Sequence, residues 1–431
     1  MKTRVLRPIA ASALLFFLIL LGPSQGWSGE SGEEVRTYSP EKPVTVETFI
    51  QEVVERNPDL KKMKNRTLSA REGIEPAGTL PDPVIGISLT NIPVDEFVFS
   101  REPMTSKDFF ISQKIPFPGK LGLKEEIEKL RSASLEESTE SVKVRLAFVA
   151  RKALFALAET RREREITEKT KVLFKEYLEA ARKLYSVGKG RQQDVFRAQT
   201  EIFNLDRKLE KLGKREKDLV SLLNTLRSAP VDTPIRVTGL PETGTPVAPL
   251  EELVEKAKGE NPSYRAQLDK VRMAEKMVRL AEKNLYPDFT LQLRYRQRER
   301  RTDYVTGAVA LNLPIFAGRK QKKIVKKNEY NLLSAREEAR STLEKIQNDL
   351  KEALNSLQDA ERELSILRNA VLPEARKTVE SALSSYSVGD LEFNSLVRAA
   401  LQLYKYEIEE ARLVMLSRIS RAKIKMLTGE I

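Results

Sequence analysis

Two kinds of periodicity divide the chain. The first is helical: apolar residues recur at helical spacing from Lys120 to Ser186 with no proline, and again from Lys320 to Ser387 with only Pro373 inside the run. At 1.5 Å per residue, each run would be about 100 Å long. Both end on the same four residues, Tyr185-Ser186-Val187-Gly188 and Tyr386-Ser387-Val388-Gly389, after which helical character resumes. Each copy therefore reads as a turn between two antiparallel arms. On the first return arm Ala198, Ile202, Leu205, Leu209, Leu212, Leu219, Leu223 and Leu226 follow coiled-coil spacing, with Glu216 at the one skipped position.

The second periodicity is two. Phe289, Leu291, Leu293 and Tyr295 alternate with Thr290, Gln292, Arg294 and Arg296. After a charged turn at Arg298 to Asp303, Val305, Gly307, Val309, Leu311 and Leu313 alternate with Thr306, Ala308, Ala310 and Asn312. An earlier pair is less regular. Ile85, Ile87 and Leu89 oppose Gly86, Ser88 and Thr90, and Phe109 and Ile111 oppose Ser112 and Lys114, with Phe110 out of pattern. These segments predict two hairpins, each alone between long helices. Two strands cannot bury an apolar face by themselves, so either neighbouring subunits complete a sheet or lipid covers the apolar side.

Shorter helices precede each hairpin. Thr45 opens one that breaks at Asn57-Pro58, resumes from Leu60 to Gly73, and stops where Pro81 and Pro83 remove backbone donors. The same order returns later in the chain. Asn57-Pro58 pairs with Asn261-Pro262, and Ile115-Pro116 before Gly119-Lys120 pairs with Leu313-Pro314 before Gly318-Arg319-Lys320. The two Tyr-Ser-Val-Gly turns lie 201 residues apart, and Asp194-Val195-Phe196-Arg197-Ala198 aligns with Ser395-Leu396-Val397-Arg398-Ala399. The predicted organisation is a signal peptide (1–26), a flexible leader (27–44), a first repeat (45–228), a Pro-, Thr- and Gly-rich linker (229–249) and a second repeat (250–431).

Composition narrows the chemistry. The 431 residues include no Cys and no His, which removes thiolate and imidazole ligands and nucleophiles. The net charge of +13 is spread through mixed Lys, Arg, Asp and Glu, as on solvated helix faces, and no basic run interleaves with aromatics to suggest nucleic acid. At the start, Lys2, Arg4 and Arg7 precede an apolar run from Ile9 to Leu21, then Gly22-Pro23-Ser24-Gln25-Gly26. That is the pattern of an export signal, too short to serve as an anchor. With no Cys to follow it, no lipid anchor is expected, and any membrane entry would require a β-barrel.

The order of signal, Asn-Pro helix, hairpin, long helix, Tyr-x-x-Gly turn and Asp-Val-x-x-Ala helix, then all of it again, resembles the TolC-like outer-membrane efflux family over everything after residue 44. The second copy departs from that pattern, with Ser395-Leu396 in place of Asp-Val. Leu80-Pro81-Asp82-Pro83 and Gln113 to Lys120 further resemble the heavy-metal branch, which works with pumps of the resistance-nodulation-division type.

The resemblance implies a mainly α fold with a membrane β-barrel: a homotrimer whose subunits each give four strands to a twelve-stranded barrel, above a periplasmic α-barrel of long helices. It implies a passive conduit for heavy metals or drugs, docked to a periplasmic adaptor and an inner-membrane efflux pump. Lys114, Arg294 and Arg296 would face the barrel lumen. Val187, Gly188, Val388 and Gly389 would form the adaptor-docking tips, and Asp194, Arg197, Ser395 and Arg398 the periplasmic constriction.

No enzyme motif accompanies this pattern. Phosphate-binding glycine loops are absent, and carboxylate pairs such as Glu33-Glu34 and Glu409-Glu410 read as solvated faces. No catalytic residue, cofactor or resident metal is expected. The competing reading is an exported periplasmic coiled-coil scaffold, which accounts for the heptads and turns but not for two amphipathic hairpins at matched positions.

Overall fold

The computed structural model describes residues 43–241 and 246–431; the signal segment, nearly all of the leader and the centre of the linker lie outside the described residues. The first half runs β1 (Val44–Thr45), α1 (Val46–Arg56), α2 (Pro58–Glu72), α3 (Ile74–Gly78), β2 (Val84–Thr90), β3 (Ser106–Ile115), α4 (Lys120–Ser186) and α5 (Gln192–Leu226). After β4 (Val237–Thr238), the second half runs α6 (Leu250–Glu260), α7 (Pro262–Lys283), β5 (Asp288–Gln297), β6 (Tyr304–Asn312), α8 (Gln321–Ile366), α9 (Leu372–Val388) and α10 (Phe393–Thr428).

The two long helical runs differ in continuity. Helix α4 is unbroken over its 67 residues. The run expected from Lys320 to Ser387 is divided by a π turn at Leu367–Val371, where the Leu372 N–H reaches back to the Leu367 carbonyl. The cause is local: Pro373 has no N–H and its ring crowds the preceding turn, so the helix widens by one residue there.

The paired Asn-Pro motifs have a common structural role. Asn57 Oδ1 caps α2 by accepting from the Asp59 and Leu60 N–H groups, and Asn261 Oδ1 caps α7 by accepting from Tyr264 N–H at 3.0 Å. Each amide nitrogen donates the other way, Asn57 Nδ2 to the Leu226 carbonyl and Asn261 Nδ2 to the Leu427 carbonyl, both at 2.9 Å. One side chain thus satisfies orphan groups at the start of one helix and the end of another. In both repeats it ties the opening helix to the closing one.

Helix α4 packs along α5 and α7, α8 along α7 and α10, and α10 against α4. A core of Phe49, Val53, Leu154, Phe155, Leu157 and Leu223 joins α1, α4 and α5, and Ile235 from the linker is buried in it. Burying each such side chain is worth about 1.5–3 kcal/mol. The linker is therefore part of the core at this point, and β1 pairs in parallel with β4. Along the α4–α5 seam, Glu216 takes the skipped heptad position because it accepts from Arg161 Nε at 2.7 Å and Arg164 Nη1 at 3.4 Å.

The hairpins do not stand alone. Strands β3 and β5 pair antiparallel, from Lys107 with Gln297 to Ile115 with Phe289, joining both hairpins in one four-stranded sheet of order β2-β3-β5-β6. The seam of that sheet is a contact between the two repeats, and β2 and β6 are its edges.

Candidate functional site

Strict alternation gives the sheet two unlike faces. Ile85, Ile111, Leu293 and Gly307 lie in one cross-strand row, with Ile87, Phe109, Tyr295 and Val305 in another. These side chains are exposed, Ile85 at 76%, Ile87 at 67% and Val305 at 68%. An apolar band of this extent on a single chain calls for a cover.

The opposite face is polar and carries the three predicted basic residues. Arg294 and Arg296 converge on one carboxylate, that of Asp108: Arg294 Nη1 lies 3.4 Å from Oδ2 and Arg296 Nε 3.3 Å from Oδ1. Asp108 is fully buried and also accepts from Ser106 Oγ at 2.7 Å and Thr90 Oγ1 at 3.3 Å. Phe110, out of pattern in the sequence, belongs to this face. Its ring lies over Gly86, where any Cβ would collide with it, and the Arg294 guanidinium sits 5.8 Å from its centroid. Large beside small across the strand pair is what lets an aromatic ring lie flat on a polar face.

Lys114 sits at the helical end of the same face, 3.8 Å from Asp288. Asp288 is the pivot of the junction between sheet and helices: Oδ1 accepts from Lys120 Nζ at 2.7 Å and from the Phe117 N–H at 2.9 Å. Lys120 also donates to the Tyr286 carbonyl, and the Phe117 and Tyr286 rings stack 4.6 Å apart. Asp108, Asp288 and Lys120 were not among the expected site residues. Parity alone places Asp108 on the face of Ser112 and Lys114, and that was the available signal.

At the far end of the helices the two turns share a cap. The Lys189 N–H donates to the Leu184 carbonyl and the Asp390 N–H to the Ser385 carbonyl, both at 2.9 Å, in positions matched across the repeat. Gly188 and Gly389 take φ of +73° and +89°. This is a Schellman-type helix end, in which glycine carries the left-handed residue without strain. Val187 and Val388 are exposed beside them, at 67% and 69%.

Just past the turns the expected constriction residues separate. Ser395 and Asp194 are half-buried, while Arg197 and Arg398 are exposed. Arg398 Nη2 donates to Ser395 Oγ at 3.3 Å. Within the chain Asp194 has neither arginine as a partner. Burial raises its carboxyl above the ordinary range, with Glu392 adding to the rise and Arg191 opposing it. Tyr386, which carries the second turn's aromatic ring, is buried against Phe393 with centroids 5.1 Å apart. Burial and then the Asp194 charge push its hydroxyl up to about 12.

Among the described residues no group of three or more carboxylates could hold a metal ion, and no helix is long and apolar enough to cross a membrane.

No curated protein sequence matches the chain. A family model described as outer membrane efflux protein matches residues 49–228 and 253–430. Among solved structures, VceC of Vibrio cholerae shares the fold with a TM-score of 0.76 at 15% identity, over 89% of this chain and 96% of that one. The MtrE outer membrane channel of Neisseria gonorrhoeae in its open state aligns with a TM-score of 0.70 at 16% identity, over 89% of each chain. CusC aligns with a TM-score of 0.76 at 14% identity, over 90% of this chain and 92% of that one. The family match takes in both repeats, as the resemblance in the sequence implied. The chain belongs to the outer membrane efflux protein family, and its place is the outer membrane, reaching into the periplasm.

Proposed function

We propose that three copies of the chain close their four-stranded sheets into one twelve-stranded barrel, and that the barrel and the long helices below it form a passive conduit for efflux. The observation that carries this reading is the sheet itself: one face an exposed apolar band, the other polar, and two edges, β2 and β6, without a partner strand among the described residues. Lipid would cover the apolar band, water would fill the polar side, and pairing β6 of one copy with β2 of the next would leave no open edge.

In this arrangement the caps around Val187, Gly188, Val388 and Gly389 are the docking tips for a periplasmic adaptor, which in turn couples to an inner-membrane pump of the resistance-nodulation-division type. Asp194, Arg197, Ser395 and Arg398 would line the narrow entrance, with pairing between Asp194 and an arginine made across copies rather than within one. The cargo is of the heavy-metal or drug class, and the resemblance of the Leu80 to Pro83 and Gln113 to Lys120 segments to the heavy-metal branch supports the former. No step of the conduit requires a catalytic group or a cofactor.

Arginine at Leu293 should block assembly into the outer membrane, because a charge on the lipid face costs about 2–4 kcal/mol per copy near the midplane. Arginine at Gln292 should assemble normally. Heat-modifiable gel mobility of membrane fractions reads the difference, and equal damage at both positions would rule out a lipid-facing alternation.

A further inference from the structure

The polar face of the sheet carries an asymmetry that the conduit reading does not require. Per chain it holds three cations, Lys114, Arg294 and Arg296, against two carboxylates, Asp108 and Asp288. Their depths differ. Asp108 has no exposed side-chain surface, while the two arginine side chains over it are 33% and 29% exposed. At the other end Lys114 is 54% exposed and Asp288 only 18%, with the buried Lys120 already 2.7 Å from that carboxylate. Of these five groups the acids lie beneath and the bases lie on top.

We propose that this face is an anion-attracting surface, with Asp108 as the positioning residue that holds two guanidinium groups toward the passage, so that the exit favours anionic or neutral cargo over free cations. The proposal rests on reading the polar face as the lumen.

Three features support it. Asp108 has its remaining acceptor capacity taken by Ser106 and Thr90, so it draws both arginines to one point without presenting charge itself. Arg294 is held from a second side by the Phe110 ring, which the absence of a side chain at Gly86 admits. A guanidinium spends only part of its donor fork on one shared carboxylate, and the donors left over match oxyanions in geometry. Repeated around a closed barrel, the excess positive charge would sit on a low-dielectric wall, where its field is focused into the passage. A heavy-metal cargo would then leave more readily as an anionic or neutral complex than as a bare cation.

The chain has no cysteine, so a single introduced thiol reports the local potential. The Ser112→Cys variant places it on the polar face, opposite Gln292. In intact cells, an anionic sulfonatoethyl methanethiosulfonate and a cationic trimethylammonioethyl one are compared with their rates on a free thiol. The ratio should favour the anionic reagent by roughly tenfold over the free-thiol ratio. Adding Arg294→Gln and Arg296→Gln should abolish the preference; because these leave the buried Asp108 without a cationic partner, Asp108→Asn is combined with them to keep the site neutral. Asp108→Asn alone should lower the preference even though it removes a negative charge, because the guanidinium groups are no longer held toward the passage; an unchanged or higher preference overturns the positioning role. A ratio at the free-thiol value, or one unchanged in the triple variant, overturns the proposal alone. The Leu293→Cys variant is the control: labelling no faster at Ser112→Cys than at Leu293→Cys overturns the lumen reading and the proposal with it.

Discussion

The two halves of the chain are built to one plan and finished differently. In the first, α4 runs unbroken to its turn and Tyr185 points outward, 48% exposed. In the second, the equivalent helix is widened by a π turn at Leu367–Val371, and Tyr386 is 4% exposed against Phe393. The turns themselves are the same, down to the matched hydrogen bonds of their caps. What differs is the partner. The residue that receives Tyr386 is Phe393 on α10, whereas the matching position on α5 is Gln192. Duplication preserved the backbone device, and single residues around it decide which tyrosine is packed and which is exposed. The Arg368 to Glu410 and Arg376 to Glu407 pairs, at 2.6 and 3.3 Å, hold the second helix to α10, one from within the π turn and one just after it.

The largest effect should come from the buried tyrosine. Tyr386→Ala empties a packed site between α9 and α10 and should cost about 3 kcal/mol, read as a clear fall in Tm. Tyr185→Ala should change stability by less than about 0.5 kcal/mol. Similar losses at both would mean the tips are packed alike and that the difference drawn here is false.

The Asn-Pro latches come next and should show the opposite symmetry. Asn57→Ala and Asn261→Ala each remove a helix cap and leave a carbonyl of the closing helix without its donor, at a cost of about 1–3 kcal/mol. Because each side chain accepts from the N–H three residues on and donates to the closing helix, the two losses should agree within about 0.5 kcal/mol. Pro373→Ala should have a smaller, stabilising effect of about 1 kcal/mol by letting the helix close to regular α geometry. Hydrogen exchange at Leu367–Val371 should slow while exchange in α4 stays as it was. Unchanged exchange would place the cause of the π turn elsewhere.

The smallest effect is electrostatic. The Asp194 carboxyl is raised in the folded state, so the fold binds its proton more readily than the unfolded chain does. The resulting penalty is present at neutral pH and disappears as pH falls through the folded value toward the ordinary carboxylate range. Asp194→Asn should therefore raise Tm by about 1 °C or less at pH 7 and have no effect at acid pH. A gain that grows on acidification would reverse the sign of this account.

The regular parts of this fold were legible in the chain. Helix α4 begins and ends where its proline-free periodicity does, and the strands follow from parity because each keeps one face apolar. Parity also put Lys114, Arg294 and Arg296 on the polar sides of their strands. What escaped reading depends on contacts remote in sequence. Asp108 meets Arg294 only because β3 pairs with β5, and the acceptors of Asn57 and Asn261 lie at the far ends of their repeats. Tyr185 and Tyr386 sit in identical tetrapeptides, so no local pattern could tell the buried one from the exposed one. Glu216 was visible as a break in the heptads, but its reason, two arginines across the seam, was not.

The central claim is that the four-stranded sheet is one third of a closed barrel. Electron cryomicroscopy of the protein extracted from outer membrane into lipid nanodiscs tests it most directly. Three copies should surround one axis, with twelve strands, β6 of each copy beside β2 of the next, and Arg294 and Arg296 on the inside. A single copy with open sheet edges, or a closed ring with Leu293 facing the interior, would contradict it.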